Sequence, residues 1–299
     1  MSIYLTSVMT NMALISFLAL SAYLVLIVGE VSFGQQAFFG IGAYSAAIAT
    51  ALYDLSLTTA VIIACILGCV VAWCLAKLTT ALSGFYFSIA TLAFAELFRF
   101  SMLQVRFSVE VDGQKTGPDG PEGFENIRWM FEQNMESSDF LFLVACVLFV
   151  TLTCLYLADK TPLFRSARVV GEDPILAQAQ KISPDFARTT MIALSGGVAA
   201  IGGALFAHFS TYIEPGMFSI MLGVHGLAYA VIGGLAVPFG PLLGVAIDIG
   251  LLESVRYFSS YRMIVFGGLV AVILIVLPQG ILNARLLRRL HFWGSRHEL

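Results

Sequence analysis

The sequence predicts an all-α polytopic membrane protein, and three observations carry that prediction. Hydrophobic residues make up 59% of the chain and charged residues only 12%, roughly half the charge of a soluble domain; the mean hydropathy is +0.88. Charge-free stretches occupy 1–29, 31–53, 55–76, 140–158, 189–213, 215–247 and 263–284, and roughly 20 apolar residues suffice to cross about 30 Å of hydrocarbon. Basic residues gather in two polar regions, as membrane topology requires.

The elements follow from the start of the chain. No Lys or Arg precedes the first apolar run, so a cleaved leader is not expected. About nine hydrophobic segments run at 8–28, 34–53, 56–76, 82–104, 139–158, 187–208, 217–235, 239–256 and 262–280. The seventh and eighth share one charge-free run, too long for a single crossing, and Gly233, Gly234, Pro238, Gly240 and Pro241 supply the break. The connection 159–190 carries Lys160, Arg165, Arg168, Lys181 and Arg188, and the basic tail 281–299 carries Arg285, Arg288, Arg289 and Arg296. Four crossings separate them, so both are expected in the cytoplasm. The loop 105–138 has three Lys/Arg against seven Asp/Glu, which puts it outside. Counting back leaves the N-terminus outside and the C-terminus cytoplasmic. The whole of 1–299 forms one transmembrane domain.

Several chemistries are excluded. A net charge of −3 and a pI near 5.8 give no basic footprint for nucleic acid. Cys65, Cys69, Cys74, Cys146 and Cys154 all lie in apolar segments without histidine partners, and read as small membrane hydrophobes rather than a disulfide or metal site. His208 and His225 sit apart, with His291 and His297 in the tail, so no catalytic cluster is expected.

Three stretches carry polar chemistry. From 29 to 44, Ser32, Gln35, Gln36 and Tyr44 interrupt glycine-rich apolar sequence. Irregular backbone at membrane depth survives only where protein or a water-filled path surrounds it. A broken or re-entrant helix lining a solute path and a cytoplasmic turn followed by small-residue packing both fit. In the fourth segment Thr91 precedes Glu96 and Arg99, which share a helical face. Ionisable groups in a span are costly, and either paired or functional. Asp248, Glu253 and Arg256 pose the same question in the eighth. In the third stretch Asp173 can cap a short helix with Pro174 at its first position. Ile175, Leu176, Ala179 and Ile182 recur at helical spacing there, suiting a groove on a partner or the lipid surface.

Together these stretches resemble the permease family of high-affinity branched-chain amino-acid ABC importers, the LivM-type subunit, with urea-type and related permeases close by. The family's Gly-x-x-Ser-x-Gly-Gln-x-x-Phe-x-Gly-Ile-Gly-Ala-Tyr pattern is similar to 29–44, and its Tyr-Phe…Thr-Leu-x-Phe-x-Glu…Arg pattern to Tyr86, Phe87, Thr91, Leu92, Phe94, Glu96 and Arg99. Its outer Thr-Gly-Gly-Pro-x-Gly resembles Thr116, Gly117, Pro118 and Gly120, one glycine short, and its inner Arg-Ala-x-Arg…Glu-Asp…Ala-x-Ala-x-Gly-Ile resembles 165–182. Two departures stand out: Lys181 replaces the family's glycine, and Pro174 a residue that is often acidic.

The resemblance implies a non-catalytic permease subunit in a bacterial inner membrane. Its implied partners are a second permease, favoured as a paralogue, two cytoplasmic ABC ATPases and a periplasmic solute-binding protein. No Gly-x-x-x-x-Gly-Lys-Ser/Thr loop occurs, so ATP is expected to be used by partners, and no cofactor or metal is expected here. The solute path is assigned to Ser32, Gln35, Gln36, Tyr44, Thr91, Glu96 and Arg99. ATPase coupling is assigned to Arg165, Arg168, Glu172, Asp173, Ala177, Ala179, Lys181 and Ile182. Thr116, Gly117, Pro118 and Gly120 are assigned to the binding-protein contact. The cargo is a branched-chain amino acid or a similar small polar solute, with urea or a short amide as the alternative within the family. The rival outside it is an ion-coupled secondary transporter, with Glu96 or Asp248 carrying the proton.

Overall fold

A computed structural model of the chain describes residues 3–107, 109–111, 114–252, 262–277 and 280–282. In chain order, α1 (Ile3–Ile27), α2 (Gln35–Ala51), α3 (Leu57–Leu78) and α4 (Phe85–Gln104) precede strands β1 (Val109–Val111), β2 (Gln114–Pro118) and β3 (Phe124–Glu125). Next come α5 (Trp129–Glu132), α6 (Ser137–Asp159), α7 (Pro162–Glu172), α8 (Pro174–Ala179), α9 (Pro184–Ser210), α10 (Ile220–Gly233), α11 (Gly240–Val245) and α12 (Arg262–Val276). Helix α11 runs on into a π-helical stretch, Ala246–Leu252. Among the described residues, α1, α3, α4, α6 and α9 are long and apolar enough to cross a membrane; α2, α10, the α11–π stretch and α12 are shorter. The protein is a mainly helical, multi-pass membrane protein.

Local signals set several boundaries. The Ser56 hydroxyl accepts from the Thr59 N–H at the start of α3, and Ser183 does the same for Phe186 at α9; such caps satisfy N–H groups the helix leaves free. Proline opens α7, α8 and α9, where its missing N–H costs nothing.

Helices α1 and α9 form the centre. Helices α2 and α3 pack on α9, while α6, α10 and α11 pack on α1. The α2–α9 seam is backbone against backbone: a Cβ at Gly203 would lie 1.8 Å from the Phe39 carbonyl oxygen, and one at Gly42 2.1 Å from that of Ala200. In lipid, where apolar burial does not drive association, such close approach supplies the dispersion that holds helices together. Cys65 and Cys69 pack beside Gly197 on α9 as small side chains.

The connections divide between two ends of the bundle. One end gathers the turn 28–34, the turn 79–84, α7, α8 and residues 234–239: Gly29 touches Gly171, Arg188 donates to the Leu82 carbonyl and Arg168 to that of Leu235. The other end carries the acidic region 105–138, bridged to 211–213 through Phe124, Ile127, Thr211 and Ile213.

Three expectations change. The fold is not purely helical: the acidic loop holds a three-stranded antiparallel sheet in the order β1-β2-β3. The connection 159–190 forms two helices, because Pro174 forces Asp173 out of helical geometry to φ −153°, ψ 104°. The glycine-rich stretch at 29–34 is a turn between two complete helices, and helix geometry instead changes within a segment where α11 becomes π-helical. Glu253, Arg256, Pro278, His291, His297 and the arginines of the tail lie outside the described residues.

Candidate functional site

Helix α2 starts directly after the glycine turn and carries amides on its first two residues. Gln35 and Gln36 are both fully buried. The Ser21 hydroxyl of α1 donates to Gln35 Oε1 at 2.9 Å. Among the described residues, Gln35 Nε2, both polar atoms of Gln36 and the Tyr44 hydroxyl are buried without a hydrogen-bond partner in the chain. Each such group costs about 1–3 kcal/mol relative to a satisfied one, so four on three side chains of one helix call for an explanation.

Gln36, Gly40 and Tyr44 are spaced by four and lie on one face of α2. The Gln36 amide packs on Gly223 of α10, where a Cβ would come within 2.0 Å of its oxygen. Gly40 leaves room for the Phe98 ring. The Tyr44 ring meets Phe218 at 5.9 Å and Phe98 at 6.4 Å. Two phenylalanines therefore close over the Gly40–Tyr44 part of this face, and α10 covers Gln36.

The other assigned path residues separate into two groups. Ser32 and Thr91 build the turn: Ser32 Oγ accepts from the Gly34 N–H, and Thr91 Oγ1 accepts from the Phe33 N–H at 3.1 Å. Glu96 and Arg99 form an i,i+3 ion pair, Nη2–Oε2 2.7 Å, with each side chain about a quarter exposed (24% and 25%). The Arg99 guanidinium also lies 4.5 Å over the Phe100 ring. The hydrogen bonds of this pair run between its own two members and not to the amides of α2.

Glu30 and Arg188 were not singled out by the sequence. Glu30 is the sole charge in the first 53 residues, which was the available signal, and it is buried at 6% exposure. Its Oε1 lies 2.7 Å from Arg188 Nη2, and its Oε2 accepts from the Gly84 N–H at 3.0 Å. The pair pins the turn 28–34 to the starts of both α4 and α9. Burial pushes the Glu30 carboxyl above the usual carboxylate range, while Arg188 and the Gly84 N–H pull it back.

Helices α7 and α8 carry the residues assigned to coupling. Phe164, Ala167 and Val170 are buried, and Arg165 and Glu172 are exposed, so α7 is amphipathic. Arg168 is turned inward: it pairs with Asp159 at 2.7 Å, donates to the Tyr23 hydroxyl at 3.0 Å and to the Leu235 carbonyl at 2.8 Å. Asp173 Oδ1 accepts from the N–H groups of Ile175 and Leu176, capping α8. Ala177 is buried and Ile182 half-buried against it, whereas Ala179 and Lys181 are exposed. Ile175 and Leu176 project outward at 79% and 53% exposure.

At the opposite end Thr116, Gly117 and Pro118 lie on the central strand β2 with Gly120 just after it, and all four are buried. Gly120, at φ +58°, packs on the Leu103 carbonyl at the end of α4, and Glu122 and Glu125 are exposed beside it. His208 is accounted for within the fold: Nδ1 meets the Ala204 carbonyl at 2.7 Å and Nε2 the Thr50 hydroxyl at 2.9 Å. A carbonyl only accepts, so Nδ1 carries the proton.

No solved structure matches the chain. Over 277 residues it is 28% identical to the high-affinity branched-chain amino acid transport system permease protein LivM of Escherichia coli strain K12, covering 85% of this chain and 64% of that protein. LivM of Salmonella typhimurium strain LT2 is similar to the same extent, 28% identical with the same shares covered. The chain thus spans less than two thirds of the length of these relatives. A family model described as branched-chain amino acid transport system / permease component matches residues 4–277. By that match, which runs through nearly all the helices described above, the chain belongs to the permease components of branched-chain amino-acid transport systems.

Proposed function

We propose that the chain is the membrane subunit of an ATP-driven importer in a bacterial inner membrane, carrying branched-chain amino acids or similarly small polar solutes. The observation that supports this reading best is the buried face of α2. Gln36 and Tyr44 hold polar groups with no partner in the chain among the described residues, the first packed on Gly223 and the second under Phe98 and Phe218. A solute passing along α2 would find donors and acceptors that bind it transiently, and weak binding is what transport requires. In this reading the structure is a closed state of the path.

The proposed energy input is at the other end. Ile175 and Leu176, exposed on α8, suit an apolar groove on a cytoplasmic ATPase, with Arg165, Glu172 and Lys181 on the rim. Gly171 of α7 abuts the carbonyl of Ile27 and the backbone of Gly29, so a displacement of α7 reaches the turn before α2 without an intervening side chain. The partly exposed Glu96–Arg99 pair would be covered by a second, paralogous permease, because an ion pair on a spanning helix faces protein or water rather than lipid. A periplasmic binding protein would dock on the acidic sheet, through Glu122 and Glu125 rather than the buried Thr116, Gly117, Pro118 and Gly120 that shape it. Residues 105–138 are then outside, and 159–190 and 281–299 inside.

Gln36→Leu tests the proposal. Removing an unpartnered buried amide is expected to leave the protein as stable or more stable, while uptake of radiolabelled leucine falls at least about tenfold. Loss of stability with uptake retained would show Gln36 to be a packing residue. Uptake that survives deletion of the ATPase and collapses with an uncoupler would replace the ATP-driven reading with an ion-coupled one.

A further inference from the structure

The segment that leaves α9 brings a carboxylate to the Tyr44 end of the α2 face. Residues 211–213 are tied to the sheet, where Phe124 and Ile213 exchange both backbone hydrogen bonds. Glu214 follows in extended geometry, at φ −130° and ψ 154°, and precedes the short helical turn Pro215–Phe218. That turn ends on Phe218, whose ring lies 5.9 Å from that of Tyr44. One stretch of chain therefore presents the carboxylate and, four residues on, part of the cover over Tyr44.

The carboxylate is held by one of its oxygens. Tyr212 donates its hydroxyl to Glu214 Oε2 at 3.1 Å and shares it with the Glu122 carbonyl, also at 3.1 Å. Oε1 makes no hydrogen bond and no ion pair among the described residues. It leans over the exposed Gly216, where a Cβ would lie 3.4 Å from Oε1 and meet nothing but this carboxyl group within 4 Å. Glu214 is half-buried, so its charge is partly desolvated without being sealed off. Deeper in, Tyr44 is 5% exposed and its hydroxyl is unpartnered. Tyr212 and Glu214 both act on that hydroxyl through space. A carboxylate oxygen and a phenol oxygen both accept, and an ammonium group brings three donors to share among them.

We propose that Glu214, with Tyr44 beneath it, is the site at which the path takes up the ammonium group of its cargo. The assignment deepens the reading of the α2 face as the solute path and rests on it. A hydrogen bond from an ammonium to a carboxylate is stronger than one between neutral groups. The open oxygen stays in contact with water, which keeps the ammonium exchangeable, as passage requires. An anionic acid would meet the like charges of Glu214 and of the exposed Glu122 and Glu125 instead. Urea and short amides carry no cation for the site to hold, so it favours an amino acid as cargo.

The test reads binding without transport. The purified full chain in phosphatidylcholine nanodiscs is titrated with 3-methylbutylamine, 4-methylpentanoate and 3-methylbutanamide, followed by saturation-transfer NMR against empty discs. The amine should bind at least about tenfold more tightly than the acid or the amide, and L-leucine should compete with it. Glu214→Gln keeps an acceptor for Tyr212 and should erase the preference. Gly216→Val keeps the carboxylate but covers Oε1 and should do the same; it decides the matter if Glu214→Gln does not fold. Glu125→Gln removes a neighbouring charge only and should leave the preference in place. The assignment is overturned by equal binding of acid and amine to the wild-type chain, by a preference that survives Glu214→Gln or Gly216→Val, or by equal loss in Glu125→Gln. Competition from added phosphatidylethanolamine would give the site to a lipid headgroup and overturn it as a cargo site. The permease reading fails separately, if uptake is independent of the ATPase.

Discussion

Lys181 offers a clean quantitative test, because it stands where the family's glycine is expected and the backbone there has φ +62°. Helix α8 ends in a closed pattern: the Lys181 N–H donates to the Gln178 carbonyl at 2.9 Å, and the Ile182 N–H reaches back to that of Ala177 at 3.0 Å. This is the Schellman arrangement, whose left-handed position glycine fills without strain. A residue with a Cβ in that conformation carries about 1–2 kcal/mol of strain. Glycine there gives back about 0.5–1 kcal/mol through the greater freedom of the unfolded chain. Lys181→Gly should therefore stabilise the end of α8 by about 0.5–1 kcal/mol, the exposed lysine side chain contributing little packing. Amide hydrogen exchange over 174–182 measures this directly, and protection should rise about threefold. Lys181→Ala is the control, since it removes the charge and keeps the Cβ, and it should change protection little. A gain equal to that of glycine in the alanine variant, or a loss in the glycine variant, would refute the strain argument.

Other perturbations address the remaining joints. Glu30→Met leaves the buried Arg188 uncompensated and should cost about 3 kcal/mol at neutral pH, measured by denaturation in detergent. Arg188→Met should cost about as much at neutral pH but less in acid. Burial already raises the Glu30 carboxyl, so the fold favours its protonated form, and that stability is lost as pH rises through the raised value. A pH-independent Arg188→Met variant would contradict this. Gly203→Ala puts a methyl against the Phe39 carbonyl and should lower stability by about 1–3 kcal/mol; an unchanged thermal midpoint would mean that the seam can spread freely. Ile175→Asp with Leu176→Asp should leave the fold intact while abolishing co-purification of the ATPase, and retained association would relocate the docking surface.

What could be read beforehand followed the range of each interaction. Apolar runs announced the helices because length and composition alone make them. The Glu96–Arg99 pair and the Asp173 cap were legible because partners three residues apart or fewer meet through local geometry. The Glu30–Arg188 pair was not, since its members lie on α9 and the first turn and meet only after the bundle closes. Arg168 was read as facing a partner, yet the α7 end of the bundle surrounds it with Asp159, Tyr23 and Leu235. The sheet escaped notice because its strands are two to five residues long and depend on 211–213 for support.

The small sheet also acts as a mechanical yoke. Its β2–β3 corner is tied to the tip of α4, where the Gly120 N–H donates to the Val105 carbonyl, and to the tip of α9, where Phe124 and Ile213 exchange both backbone bonds. A protein that grips this corner therefore holds two spanning helices by their ends at once. Any tilt it imposes on one is shared with the other, and α9 carries that motion straight into the glycine seam with α2.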